Sequence, residues 1–248
     1  MDEAPWHDEM TGRDVDNRTD GRPAPTRSSA GEIEAFLRQA KRGPRGPIGR
    51  LIFALDATQS RQPAWDRACQ LQAEMFREAA SLGGLAIQLV FYRGFGECRA
   101  SAWTTDTETL LKRMLSVRCE GGLTQIGKVI ANARRQAETG PVAALVFIGD
   151  AFEEDIDKVC HRAGELGLLG VPALMFQEGN DPAATRAFSE IAKLTGGAHC
   201  SFDPSSADAL RDLLRAAAAF AAGGYRALAD MRGSGAERLR RALPPPKR

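Results

Sequence analysis

The residues best suited to chemistry in this chain form a short series. Asp56, Thr58 and Ser60 stand at alternate positions directly after the apolar run Leu51-Ile52-Phe53-Ala54-Leu55. A carboxylate and two hydroxyls are hard oxygen donors, the ligand type that Mg²⁺ or Mn²⁺ takes. Mg²⁺ keeps several of its waters and needs few protein ligands. Two further oxygen side chains stand at comparable places. Thr124 follows the flexible pair Gly121-Gly122, where a helix is expected to begin. Asp150 is the first polar side chain after the apolar stretch 142–148. Both positions suit a sheet that gathers ligands beyond the carboxyl ends of its strands.

Strands and helices must bring these loops to one point. From Arg50 onward, short apolar runs alternate with longer segments of helical periodicity. The runs predict strands at 51–56, 85–92, 98–103, 142–149, 171–177 and 199–202. The periodic segments predict helices near 63–81, 105–117, 121–138, 153–166, 182–195 and 206–222. Strands apolar on both faces, alternating with helices, imply an α/β fold: a three-layer, doubly wound, Rossmann-like and mostly parallel sheet with helices on both faces. The pair 85–92 and 98–103, joined across Arg93-Gly94-Phe95-Gly96, supplies one antiparallel edge strand. Before this core, residues 1–48 read as a disordered acidic tail with a short helix near 31–42, broken by Gly43-Pro44-Arg45-Gly46-Pro47. Trp6 is the one large apolar residue in the first part of that tail. The α/β domain is expected over 49–223, and 224–248 reads as a solvated, partly helical basic tail tipped by Pro244-Pro245-Pro246.

Composition removes several classes of function. A formal net charge of +1 gives no global attraction to nucleic acid or to an anionic membrane surface. No basic and apolar leader opens the chain, and no apolar segment approaches the roughly 18 residues that span a bilayer. Five cysteines (Cys69, Cys98, Cys119, Cys160 and Cys200) lie far apart without a CxxC pair. They read as reduced, mostly buried thiols of a cytoplasmic protein, not as a structural zinc site.

Three segments together resemble the von Willebrand factor type A (VWA) domain. They are Asp56-Ala57-Thr58-Gln59-Ser60, then Gly121-Gly122-Leu123-Thr124-Gln125-Ile126-Gly127, then Ile148-Gly149-Asp150. In that family they build the metal-ion-dependent adhesion site (MIDAS), and the likeness covers about 49–222. Carried over residue by residue, the resemblance implies Asp56, Thr58 and Ser60 as metal ligands of the first segment, Thr124 of the second and Asp150 of the third. Thr58 stands where the family usually has serine, which keeps the hydroxyl. Ala151 stands where glycine usually follows the last Asp, which removes no ligand. The resemblance implies a protein–protein interaction module that holds Mg²⁺ or Mn²⁺ and offers it to an acidic side chain of a partner. Bacterial stand-alone domains of this kind often accompany chaperone-like ATPases or stress-response assemblies. No small-molecule substrate is indicated.

Other readings compete. Asp56, Thr124 and Asp150 could each serve as ordinary caps. A haloacid-dehalogenase-like metal-dependent phosphatase could use Asp56 as nucleophile, but Thr58 stands where that chemistry wants a general acid. A serine hydrolase lacks its G-x-S-x-G elbow, and a dinucleotide site lacks G-x-G-x-x-G. Cys160-His161 and His199-Cys200 could in principle share a metal, though buried thiols beside ordinary histidines are the simpler expectation. Trp65 and Trp103 fall on apolar periodicities and are expected in the core. A metal-free scaffold with a vestigial site is the remaining alternative.

Overall fold

Strands buried on both faces must be covered on both faces, and these are. The computed structural model describes residues 6–7, 49–59, 62–80, 84–203 and 206–245. In chain order the strands are β1 (Trp6–His7), β2 (Gly49–Asp56), β3 (Leu85–Arg93), β4 (Glu97–Ser101), β5 (Ala144–Gly149), β6 (Ala173–Glu178) and β7 (Ala198–Phe202). The helices are α1 (Gln62–Ala80), α2 (Thr107–Ser116), α3 (Ile126–Thr139), α4 (Ile156–Leu168), α5 (Pro182–Thr195), α6 (Ala207–Asp230) and α7 (Ser234–Ala242). Every residue of β5 and β6 is buried, which explains the unbroken apolar run of 144–149 and the apolar start of β6, which closes on buried Gln177 and Glu178.

The strands form one sheet in the order β1-β4-β3-β2-β5-β6-β7. The pairs from β3 through β7 are parallel, and β4 runs antiparallel to β3. The antiparallel strand is therefore present, but it is not the outermost. Trp6 and His7 pair antiparallel with Ser101 and Ala100, so the sheet extends one short strand further than the sequence indicates.

Side chains alternate across each strand and feed two cores. Leu51, Phe53 and Leu55 of β2 face a cluster with Trp65 and Met75 of α1, Leu110 and Met114 of α2 and Leu213 and Leu214 of α6. Ile52 and Ala54 face the opposite cluster, with Ile130 of α3, Val159 of α4 and Phe188 and Ile191 of α5. The buried Trp65 indole donates to the Met114 carbonyl at 3.0 Å, which satisfies its one polar atom and ties α1 to α2.

Three expectations shift. β4 ends at Ser101, so Trp103 lies beyond the strand and is half-exposed. It carries the Arg50 guanidinium 4.1 Å above its ring and donates to Gln136 at 2.9 Å. Helix α3 begins at Ile126, not near residue 121, because the preceding stretch bonds to other loops. The stretch expected as a solvated, partly helical tail is helical through Ala242 and packs on the core. Helix α6 continues past a break at Gly224, whose φ of 68° favours a residue without Cβ, and α7 follows. Leu228, Ala236, Leu239 and Leu243 join the first core. The short helix expected near 31–42 lies outside the described residues. Among the described residues, no helix is long and apolar enough to cross a membrane.

Candidate metal centre

Strand order reverses at β2: the next strand in the chain lies on one side of it, and β5 lies on the other. The crevice beyond the carboxyl ends of β2 and β5 is thus the place where this topology leaves room for a ligand. Asp56 is the last residue of β2, and Asp150 directly follows the last residue of β5. Leu55 stands opposite Ile148, so the two carboxylates leave adjacent strands one and two residues beyond a shared register position.

The first loop is fixed through Asp56, which is 3% exposed. Its Oδ1 accepts the Thr58 N–H at 2.7 Å, the local turn that an Asp makes with the backbone two residues on. Its Oδ2 accepts the phenol proton of Tyr92 at 3.0 Å. Tyr92 is fully buried and stacks on Phe147 with ring centroids 6.2 Å apart. Asp56 therefore does serve its own turn, and it is also positioned from the next strand. The Ala57 N–H donates to the Tyr92 carbonyl, and the Ala57 carbonyl accepts the Glu120 N–H, both at 3.0 Å. That second bond brings the Gly121-Gly122 segment beside the first loop. Thr58 is half-buried at this junction, and Ser60 lies outside the described residues.

The second and third loops are clamped to each other. Thr124 is 5% exposed. Its Oγ1 accepts the Glu153 N–H at 2.9 Å, and its own N–H donates to Glu153 Oε2 at 3.2 Å. Next to it, the Glu154 carboxylate accepts the N–H groups of Ile126 and Gly127. Helix α3 has no side-chain cap from its N-cap residue Gln125, so Glu154 satisfies these first-turn donors and meets the positive end of the helix. Burial pushes the Glu154 carboxyl above its usual range, against the opposing pull of Gly127, Ile126, Arg162 and the Thr124 hydroxyl.

Neither Thr124 nor Asp150 is a helix cap. The N-cap of α3 is Gln125, and the N-cap of α4 is Asp155, whose Oδ1 accepts from Asp157 and Lys158.

The described candidates, Asp56, Thr58, Thr124 and Asp150, are oxygen donors of the kind a hard cation takes. A hydroxyl has one proton and two lone pairs. One lone pair of the Thr124 hydroxyl accepts the Glu153 N–H. A hydroxyl so used keeps capacity for a further partner. Among the described residues, no three His, Cys, Asp or Glu side chains gather as a metal-binding group. A site here would rest on hydroxyls with two carboxylates, as Mg²⁺ allows. The Cys160-His161 and His199-Cys200 alternative gains no support, since His199 bonds Ser189 and Gln177 instead.

No protein-family model and no curated protein matches the sequence. Solved structures do match. The VWA domain of SpRpn10 is 14% identical with a TM-score of 0.50, over 64% of this chain and 89% of that one. The vWF domain of the type V pili tip protein Mfa5 from Porphyromonas gingivalis is 11% identical with a TM-score of 0.55, over 75% of this chain and 97% of that one. This chain has the VWA fold. The pilus adhesin SpaC from Lactobacillus rhamnosus GG matches at 9% identity and a TM-score of 0.56, over 70% of this chain but only 30% of the adhesin. At such identities the likeness is one of VWA architecture, and the site rests on this chain's own residues. Sequence reasoning singled out Asp56, Thr58, Ser60, Thr124 and Asp150 but gave no supporting role to Tyr92, Glu153 and Glu154. The acidic pair directly after Gly149-Asp150-Ala151-Phe152 was the available signal for the last two.

Proposed function

We propose that this chain is a divalent-cation-dependent protein-binding module. In this reading, Mg²⁺ or Mn²⁺ is held by Asp56, Thr58, Ser60, Thr124 and Asp150, directly or through water, and an acidic side chain of a partner completes its coordination. The observation that carries the reading is the state of Thr124: buried, not the N-cap of its helix, and clamped through its hydroxyl to the loop that follows Asp150. A bound cation supplies a Lewis-acidic position open to a carboxylate. The chain's own residues orient the ligands, through Tyr92 on Asp56 and through Glu153 and Glu154 on the Thr124 loop.

The role is binding rather than catalysis. Thr58 gives no general acid beside Asp56, which a phosphatase of the alternative class needs. Two of the solved relatives are named as a pilus adhesin and a pilus tip protein, which accords with an interaction role. All five cysteines are free thiols, which accords with a reducing compartment such as the cytoplasm.

The test is thermal unfolding of wild type and Asp56→Ala in rising Mg²⁺ and Mn²⁺, beside a phosphate-ester assay. Metal stabilisation of the wild type alone, without hydrolysis, is the expected result. No response of the wild type at millimolar metal rules the reading out and leaves the metal-free scaffold. Hydrolysis that disappears with Asp56 establishes the phosphatase.

A further inference from the structure

The turn between β3 and β4, Gly94-Phe95-Gly96, holds Phe95 out to water with 87% of its surface exposed, and the adjacent loop holds Leu123 at 49%. A single exposed apolar side chain needs no explanation. The way these two are mounted does. The Gly94 carbonyl accepts the Leu123 N–H at 3.2 Å and the Gln125 side-chain amide at 3.3 Å. The same amide donates to the Arg93 carbonyl at 3.1 Å. Lys128 Nζ donates to the Gly96 carbonyl at 2.6 Å and to Gln125 Oε1 at 2.9 Å. Gly122 lies so close to Gly94 that a Cβ there would stand 2.1 Å from the Gly94 oxygen. The hairpin tip and the 121–125 loop therefore form one stiff unit, and that unit runs without interruption into Thr124, with its Cα about 3.8 Å from that of Leu123.

A stiff mount lowers the ordering cost of using a side chain in a contact, and exposed aromatics on such mounts are the usual anchors of interfaces. The charges around the tip are engaged within the chain. Arg93 pairs with Glu97 at 2.8 Å and Glu120 at 2.9 Å, and Lys128 is held by Gly96 and Gln125. What the tip offers a partner is apolar surface, beside a cation that calls for a carboxylate.

We propose that Phe95 and Leu123 form an apolar shelf next to the cation. The shelf selects partner segments in which an Asp or Glu is accompanied by an aliphatic or aromatic residue. This inference rests on the cation reading above. The shelf begins one residue from Thr124, and an extended segment advances about 3.3 Å per residue, so the apolar residue falls within about two to four positions of the acidic one. An acidic run without such a residue satisfies the cation and leaves the shelf empty.

The test pans a displayed random-peptide library against the full chain in Mn²⁺ and again in EDTA, with calorimetry of Mn²⁺ alone on wild type and on the double variant Phe95→Ser, Leu123→Ser. The expected clones bind only with Mn²⁺ and carry an acidic and an apolar residue within about four positions. A synthetic peptide from these clones should lose about tenfold or more in affinity for the double variant, while Mn²⁺ uptake stays at the wild-type value. Mn²⁺-dependent acidic peptides with no apolar preference, or with unchanged affinity for the double variant, overturn the shelf and leave the cation reading standing. Absence of Mn²⁺ uptake by the wild type overturns both.

Discussion

Replacing Thr124 with valine separates the two roles given to its hydroxyl. Valine keeps the volume and the branched Cβ, so the 5%-exposed site remains filled. What goes is the acceptor of the Glu153 N–H at 2.9 Å. Leaving partly buried groups without partners costs about 1–3 kcal/mol. For a chain of this size that lowers the melting temperature by about 2–4 °C per kcal/mol, hence by about 2–12 °C. The second role adds a metal-linked effect. A cation at about a hundred times its Kd stabilises the native state by about 2.7 kcal/mol, or about 5–10 °C here. Scanning fluorimetry of wild type and Thr124→Val, each with EDTA and with Mg²⁺, reads both effects. The expected variant melts lower in EDTA and gains little from Mg²⁺. Equal melting in EDTA would refute the clamp between the 121–125 loop and Glu153. A full Mg²⁺ shift in the variant would refute Thr124 as a ligand.

Further expectations follow from the same geometry. Gly122→Ala would put a methyl against the Gly94 backbone and should cost about 1–3 kcal/mol in urea unfolding, whereas Gly164→Ala in α4 meets nothing within 4 Å and should gain about 0.5–1 kcal/mol. Burial pushes the thiols of Cys98 to about 12 and of Cys69 and Cys200 to about 11, so native-state titration with a disulfide reagent near pH 8 should leave these three unreacted and label only the partly exposed Cys119 and Cys160. Burial also lowers the pKa of His199, whose ring bonds Ser189 and Gln177. Its contribution to stability is present above about pH 6.5, the unfolded value, and is lost as pH falls through the lower folded value. The acid limb of the melting profile should thus be shallower in His199→Gln, and parallel profiles would contradict this.

The sheet was legible where burial made the pattern simple. Residues 144–149 and 173–176 are buried and wholly apolar, and an unbroken apolar run is what a strand covered on both faces requires. The last helices were not legible, because Arg232, Arg238, Arg240 and Arg241 dominate the stretch that contains Leu228, Leu239 and Leu243. Two of those arginines bond backbone carbonyls, Arg238 to Ser201 and Arg240 to Ala229, so their charge reports local pairing rather than a solvated tail. Pairing of Trp6–His7 with β4 joins residues more than ninety positions apart, and no local periodicity encodes it. At the site, the candidate ligands were legible as oxygen donors after apolar runs. Their supports were not, because Tyr92 reads as another strand residue and Glu154 as another surface acid until the fold brings them to Asp56 and to the first turn of α3.

The central claim is a cation at the carboxyl ends of β2 and β5. Crystals of the chain grown in Mn²⁺, measured at a wavelength where manganese scatters anomalously, test it most directly. The account predicts one anomalous peak about 2.1 Å from Thr124 Oγ1, with Asp56 and Asp150 bound to it directly or through one water. Well-ordered loops at 56–60, 121–125 and 149–154 with no peak between them would contradict it.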